Sequence, residues 1–425
     1  MQPDRSKIFS AYLSSRSGVT DDYLTRVSRG TPCGEYLRRF WQPVGFVSEL
    51  SQVPTRVRIL GEDLVVFKDG RGEVGALELH CSHRGASLEF GVIGQRGIRC
   101  FYHGWLYDVD GTILETPAGP PLCNAGKICH GAYPVHIFHD LIFIYMGPPD
   151  RRPTFPLLDM YSAQHMTVEP GLERTGVMEC NWLQIQENGM DPAHTAFLHV
   201  LASGKQRGFS EEMGVLPEMQ FARNETGTHY IASRRVGDNV WVRIVEAMLG
   251  NVNLIPPDDQ KGDIADVSQR PFTVIWAVPM DDYNTKRFYL MLNDARAPLK
   301  PHQRARAFGQ ANDRTYAERQ HHPGDYDAMT SQGPINIHAY ETLSTSDLGV
   351  KMFRDYLREG VDAVQRGEDP IGVNRSDAVT IRTRTQNTVV SAPAAASAHD
   401  DKKLLRKIGL EVADGDHRDR LPPSR

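Results

Sequence analysis

Long apolar runs are absent from this 425-residue chain. The longest, such as Leu141 to Met146, fall far short of the roughly 18 residues that a membrane-spanning helix needs, so no bilayer crossing is expected. Cysteine is scarce: six residues in so long a chain are too sparse for a disulfide scaffold. Neither charge dominates, since 48 Lys and Arg against 53 Asp and Glu give a net charge of −5, and no bulk attraction to nucleic acid or an acidic membrane follows. The opening Met1-Gln2-Pro3-Asp4-Arg5-Ser6-Lys7 has no basic segment leading into an apolar one, which argues against a secretory signal and for a cytoplasmic protein. There is no internal repeat, and no Gly-x-Gly-x-x-Gly following a strand that would cradle a dinucleotide. What remains is an ordinary folded composition, 40% hydrophobic and 24% charged, with length for two or three domains. In a reducing compartment, clustered Cys and His then read as metal ligands.

From Asp22 to Trp41 apolar and charged residues mix at helical spacing, and Gly34 to Trp41 reads as a short helix with an aromatic edge. Residues 44–147 change texture to short Val-, Ile-, Leu- and Phe-rich runs (Val57 to Leu60, Leu64 to Phe67, Leu141 to Tyr145) punctuated by Asp69-Gly70 and Asp110-Gly111, which predicts an all-β unit. Pro148-Pro149-Asp150-Arg151-Arg152-Pro153 reads as a linker. Beyond it, helical stretches near 181–203, 300–321 and 347–366 alternate with strands at His229 to Val236, Val240 to Val245 and Phe272 to Val278, an α+β pattern. The expected organisation is an N-terminal helical segment 1–43, a β domain 44–147, an α+β domain 154–385 and a tail 386–425. That tail is low in complexity at Val389 to Ala398 and mostly charged at its end, so mobility is expected.

The β unit holds Cys81-Ser82-His83 and Cys100-Phe101-Tyr102-His103, that is C-x-H, 16 residues, then C-x2-H. Two thiolates and two imidazoles suit either zinc or a [2Fe–2S] cluster in which two Cys take one iron and two His the other. A zinc finger puts its thiolates on one hairpin and its imidazoles on one helix. Here each loop supplies one sulfur and one nitrogen, which favours a cluster with two unlike irons. Gly85 and Gly104-Trp105 follow the two histidines, where backbone must turn close to a cofactor. Cys33, Cys123, Cys129 and Cys180 read as ordinary thiols.

Further on, Asn181 to His199 contains the order E-x3-D-x2-H-x4-H at Glu187, Asp191, His194 and His199. On a regular helix Glu187, Asp191 and His194 share a face, while His199 lies about 140° from His194. One metal can take both imidazoles only if the helix breaks or bulges between them. The plainer reading makes Asp191 an N-cap, Pro192 the first helical residue and the histidines incidental.

The first constellation closely resembles the Rieske iron–sulfur motif, including Arg84-Gly85 and Gly104-Trp105, and the second resembles the catalytic domain of Rieske non-haem iron aromatic-ring-hydroxylating oxygenases, alpha subunit, of the phthalate-dioxygenase type. Gly30-Thr31-Pro32, Arg38 to Val44 and Val278-Pro279-Met280-Asp281-Asp282 agree, so the resemblance spans about residues 20 to 370. It implies a Rieske domain followed by a helix-grip (START-like) α+β domain. In it Cys81, His83, Cys100 and His103 hold the [2Fe–2S] cluster, and His194, His199 and a later carboxylate hold a mononuclear Fe(II) with positions open for O2. The segment Asp325 to Ile335 looks like the one that carries that acid, eight residues before Gly333, which lands on Asp325. The family has Glu before the serine where this chain has Thr330, which leaves Asp327 as the alternative.

By the same resemblance the protein is a homotrimer in which electrons cross between protomers, with Asp191 bridging His103 of one to His194 of the next, and Asn188 is a second candidate catalytic residue. Electrons come from NAD(P)H through a separate flavin and iron–sulfur reductase. The reaction is hydroxylation, dihydroxylation or O-demethylation of an aromatic substrate in aromatic-compound catabolism. An aromatic carboxylate is the expected substrate, with Arg207 or Arg243 as its cationic partner and Trp241, on the same strand face as Arg243, as a wall. The rival class is a Rieske electron carrier fused to a ligand-binding domain, which needs only the first constellation.

Overall fold

The computed structural model describes residues 18–118, 128–202, 210–248, 250–258, 260–263, 273–295, 298–306, 308–376 and 380–415. Cys123, Arg207 and Phe272 lie outside them. The entry helix, Pro32–Leu37, begins with Pro at its first position and with the Thr31 hydroxyl accepting from the Gly34 N–H at 3.2 Å. It buries Tyr36 and Leu37 completely, and Trp41 opens the first strand instead of ending the helix.

The β unit that follows is built from three antiparallel sheets. Trp41–Phe46, Leu141–Tyr145 and Val135–Phe138 form one, Thr55–Ile59, Glu62–Lys68 and Val74–Glu78 a second, and four short strands between Val92 and Glu115 a third. The Cys81 loop leads from the second sheet to the third and the Cys100 loop turns between two strands of the third, and a small core joins Cys81 and Cys100 to Leu77, Leu79, Leu88, Ile98 and Tyr107.

In the α+β domain nine described strands make one antiparallel sheet. Its long central strands, Gly227–Val236 and Asn239–Met248, pair along their whole length. Both are buried on the two faces although they carry polar and charged residues, among them His229, Arg234, Arg243 and Glu246. The helix Leu348–Gln365 grips one side through Val350, Phe353, Leu357 and Val361, packed in the main core with Tyr230 and Ala232. The helix expected over 300–321 is two short pieces, Pro301–Arg304 and Tyr316–His321, and the one over 181–203 divides, as described below.

The expected mobile tail is a correction over 386–415, while residues 416–425 lie outside the described residues. Gln386–Ser391 adds a strand to Asn239–Met248, in register from Asn239↔Ser391 to Ile244↔Gln386. Ala398–Asp414 is a helix whose N-terminus is capped by Ser397 accepting from Asp400 N–H at 3.1 Å. Leu405, Ile408 and Val412, spaced three and four apart, seal against Ile231, Val240, Val242 and Ile244. The charges that suggested a loose end are the solvated face of an amphipathic helix. Among the described residues no helix is long and apolar enough to cross a membrane.

Candidate metal centres and the cavity beside them

The two Cys/His loops close with the same hydrogen bonds. Cys81 N–H donates to the Ala86 carbonyl at 2.9 Å and Gly85 N–H to the Cys81 carbonyl at 2.8 Å; Cys100 N–H donates to Trp105 at 2.8 Å and Gly104 N–H to Cys100 at 3.0 Å. Such closure needs a left-handed residue at the fifth position, and Gly85 and Gly104 supply it with φ of 74° and 76°. The thiols lie buried and free of disulfides, while His83 is exposed and His103 half-buried, their rings 4.6 Å apart between centroids. His83 stacks on Trp105 at 4.8 Å. Burial, with the charges of His83 and Arg84, lowers the pKa of His103. The Tyr107 hydroxyl stands 2.9 Å from the Cys81 sulfur, the contact a thiolate acceptor favours. Two inner sulfurs and two outer nitrogens fit a [2Fe–2S] group. Cys33 and Cys180 are fully buried, and burial raises the Cys180 thiol to about 12, while Cys129 is exposed.

The second set begins on helix Trp182–Asn188, capped by Asn181, whose side chain accepts from Leu183 N–H at 3.1 Å and donates to the Thr25 and Asp282 carbonyls. The helix stops at Gly189, Pro192 and Ala193 form a bend, and Thr195–Ala202 coils as a π-helix. In a π-helix the repeat closes on the fifth residue, so positions five apart line up instead of pointing about 140° apart. His194 and His199 are thereby brought together, ring centroids 5.0 Å apart. Glu187 does not share their face as the α-helical register predicted: the bend turns it away, and Arg354 clamps it with bonds of 2.6 and 2.8 Å.

Asp191 caps the bend, its Oδ1 accepting from Ala193 N–H at 2.8 Å and His194 N–H at 3.3 Å. Its backbone carbonyl, 2.5 Å from His194 Nδ1, accepts a hydrogen bond from that ring N–H and leaves Nε2 free to ligate. The carboxylate Oδ2 lies 3.8 Å from the same Nδ1, on a side chain that is 31% exposed. Asp191 thus caps the bend with its carboxylate while its backbone carbonyl orients the His194 ring, although Pro192 lies in the bend and is not a first helical residue.

Asp325 opens the helix Asp325–Thr330, which Gln184 pins by donating to the Met329 and Gly333 carbonyls at 2.8 and 3.0 Å. Its Oδ1 stands 3.8 Å from His194 Nε2 and 3.5 Å from His199 Nε2, and the three donors lie within 4.8 Å of one another. Those separations are too long for hydrogen bonds, yet close to the roughly 3 Å between two donors bound at right angles to one ion about 2.1 Å away. Burial alone would raise the Asp325 carboxyl; His199, His194, Gln310 and Arg287 more than offset it and hold it below the carboxylate range. Its other oxygen accepts from Gln310 Nε2, and Asn188 Nδ2 approaches Oδ1 at 3.4 Å. Asp327 points the other way, to Arg314 at 2.6 Å and Arg319 at 2.5 Å.

The three donors stand in the wall of a cavity of about 880 Å³, counting space open to solvent. Ile185, Val245 and Ile275 form apolar sides, and Arg174, Arg243, Arg287 and Tyr289 line it too. Arg243 is 3% exposed, bonded to the Pro257 carbonyl and to Asp258, both at 2.6 Å. Trp241 is not in the lining as expected; it packs with Met213 and Val389 beneath the Arg234 guanidinium. Arg287 donates to Gln310 Oε1 at 2.7 Å, linking the cavity to the Asp325 carboxylate. Arg174 donates to the Gln303 carbonyl at 2.8 Å and lies over Tyr289 at 5.3 Å; burial lowers its pKa, as does Arg287, against Tyr289 and Asp258. Sequence reasoning missed Arg174, Arg287 and Gln310. The alternation of Arg287 and Tyr289 along Thr285–Asp294 was a signal of the same kind as Trp241 and Arg243.

A family model described as the Rieske [2Fe-2S] domain matches residues 40–130. The chain is similar to the tert-butanol monooxygenase / tert-amyl alcohol desaturase oxygenase subunit of Aquincola tertiaricarbonis, 40% identical over 420 residues, covering 92% of this chain and 87% of that protein. It is also similar to phenoxybenzoate dioxygenase subunit alpha of Ectopseudomonas oleovorans, 36% identical over 406 residues, covering 90% of this chain and 95% of that one. Among solved structures, NdmA of Pseudomonas putida CBB5 with caffeine shares the fold, with a TM-score of 0.57, 24% identity, and coverage of 81% of this chain and 98% of that one.

Proposed function

The chain belongs to the Rieske non-haem iron oxygenases as an oxygenase (alpha) subunit, and from that membership we propose that Cys81, His83, Cys100 and His103 hold the [2Fe–2S] cluster while His194, His199 and Asp325 hold the mononuclear iron. It is a terminal oxygenase, fed with electrons by a redox partner, that hydroxylates or demethylates its substrate. The electron-carrier alternative is set aside, because relatives matched over nine-tenths of the chain are oxygenase subunits.

The observation that carries the iron assignment is the convergence of two imidazole nitrogens and one carboxylate oxygen within 4.8 Å on a cavity wall. When bound, a two-His, one-carboxylate iron supplies O2 activation at its open positions. The chain's own residues prepare that place. Asp191 holds the His194 ring proton, Gln310 occupies the second oxygen of Asp325, and Ile185, Val245 and Ile275 limit water.

For the substrate we propose an organic acid, most simply an aromatic carboxylate. The two relatives differ here, one named for a neutral alcohol and the other for phenoxybenzoate. Three arginines against Asp258 and Asp325 in one buried cavity favour the acid, since an anion there gains charge-assisted bonds. Product analysis with a generic reductase, NADH and matched acids and amides tests the reading. Arg243→Gln and Arg174→Gln are expected to raise KM for the acid well above the effect on its amide, by the equivalent of about 1.5 to 3 kcal/mol. Equal effects on both would leave a neutral substrate. We also propose a cytoplasmic homotrimer acting in aromatic catabolism, in which the face of one protomer that carries the exposed His83 and half-buried His103 meets the Asp191 bend of the next; native mass measurement checks the assembly.

A further inference from the structure

The π-helix Thr195–Ala202 is a rare local choice, and in an ordinary α register His199 would point about 140° away from His194. Contacts from outside the segment must therefore select the π form. We propose that Arg234 is the positioning residue that holds Thr195–Ala202 in the π register and so keeps the two imidazoles together. The inference rests on the reading that His194, His199 and Asp325 hold the iron.

Arg234 is 1% exposed and lies on strand Gly227–Val236, on the same face as Tyr230 of the metal cavity by alternation. Its guanidinium forms a clamp with two arms. On one, Nη2–H donates to the Thr195 hydroxyl oxygen at 3.2 Å, and that hydroxyl donates to the Pro192 carbonyl in the bend at 2.8 Å. On the other, Nε–H donates to the Val215 carbonyl at 2.9 Å, just after the short helical turn Glu211–Gly214. That turn presses on the π-helix at Val200: a Cβ on Gly214 would stand 3.0 Å from Val200 Cγ1, and Met213 and Trp241 pack with Val200. Thr195 and Val200 are five residues apart, the spacing that a π-helix and not an α-helix brings to one side, so the clamp fits only the π register. From below, the guanidinium rests 5.1 Å over the ring of Trp241, its register partner on the next strand, and Trp241 Nε1 donates to Asn387 Oδ1 at 3.2 Å. No carboxylate pairs with Arg234 among the described residues, burial lowers its pKa to about 10, and Nη1 has no acceptor. So poorly compensated a buried cation costs the fold stability, and two of its hydrogen bonds go to the parts that set the helix carrying His199.

The sign of the effect separates positioning from charge. A cation near a metal ion repels it, so a guanidinium acting through charge alone would bind the metal more tightly once removed. The test uses the full protein with its Rieske cluster in place, depleted of mononuclear iron and dialysed against Fe(II) without air. Arg234→Met is expected to weaken Fe(II) binding by about 10- to 100-fold, the range for lost support of a metal-ligating side chain. Amide exchange in 195–202 should speed up, while exchange in 182–188 and the Rieske absorption stay as in wild type. Thr195→Val should weaken Fe(II) binding and Thr195→Ser should not. Arg234→Met combined with Thr195→Val should cost little more than either alone, because both remove one bond. If Arg234→Met loses its Rieske absorption, the two Thr195 variants decide. Unchanged or tighter Fe(II) binding in Arg234→Met, equal effects of Val and Ser at 195, or additive losses in the double variant would each overturn the proposal. Fe(II) binding left unchanged by His199→Ala would instead overturn the placement of the iron on which it rests.

Discussion

Asp325 and Asp327 sit two residues apart on one short helix, and their replacement by alanine is expected to do opposite things. The Asp327 carboxylate accepts from Arg314 at 2.6 Å, Arg319 at 2.5 Å and Gly324 N–H at 2.9 Å, with its own side chain 14% exposed and those arginines 8% and 28% exposed. Breaking a buried pair costs about 3–5 kcal/mol, and the partial exposure of Arg319 discounts its share toward the surface value of about 0–1 kcal/mol. Asp327→Ala should therefore destabilise the catalytic domain by about 3 kcal/mol, a fall in Tm of roughly 6–12 °C, while mononuclear iron stays bound. Asp325→Ala should lose the iron. Scanning calorimetry together with iron and sulfide analysis reads both. A pH series adds a sign. The Arg319, Gly324 and Arg314 bonds lower the Asp327 pKa against the opposing effect of burial, so its stabilisation is complete above the ordinary carboxylate value of about 4 and disappears as pH falls through the lower folded value. The stability gap between wild type and Asp327→Ala should hold from pH 8 to about 5 and close only in acid. An Asp327→Ala protein with wild-type Tm and no mononuclear iron would refute the assignment, as would a gap that closes on raising the pH.

Asp191→Asn keeps the Oδ1 cap of the bend, so both metals should remain while single-turnover oxidation of the cluster slows; unchanged kinetics would remove Asp191 from the electron path. Tyr107→Phe removes the hydroxyl at the Cys81 sulfur and should lower the cluster's reduction potential in spectroelectrochemistry without bleaching it, since hydrogen bonds to sulfur favour the reduced state. Gln310→Leu frees the second oxygen of Asp325 and should weaken Fe(II) retention against a chelator while leaving the Rieske spectrum intact; equal retention would make Gln310 a bystander.

The Cys/His loops were legible because their chemistry is local: two short loops, each ending on a glycine that must turn left-handed, hold their donors with little help from the rest of the chain. The His194 and His199 spacing was legible in a different way, as a contradiction. Five residues do not return to one face of an α-helix, and the chain answers with a bend at Pro192 and a π-helix from Thr195. The tail was misread from composition, although Leu405, Ile408 and Val412 already carried helical spacing; what composition does not contain is the apolar outer face of Gly227–Val236 and Asn239–Met248 that the helix covers.

By itself, then, the amino-acid sequence determined the Cys/His and His/His groupings of candidate donors, the β-then-α+β order and the need for a break between the histidines, because each depends on residues close together in the chain. Only the tertiary structure brings Asp325, and not Asp327, beside the two histidines. Residues two apart on a helix point about 200° from each other, so one can meet the histidines while the other turns to Arg314 and Arg319, and which one does is set by how Gln184 docks the helix. It likewise decided that Arg174, Arg243 and Arg287, drawn from segments far apart in sequence, share one cavity, because strand pairing and not chain proximity brings their side chains to a common face.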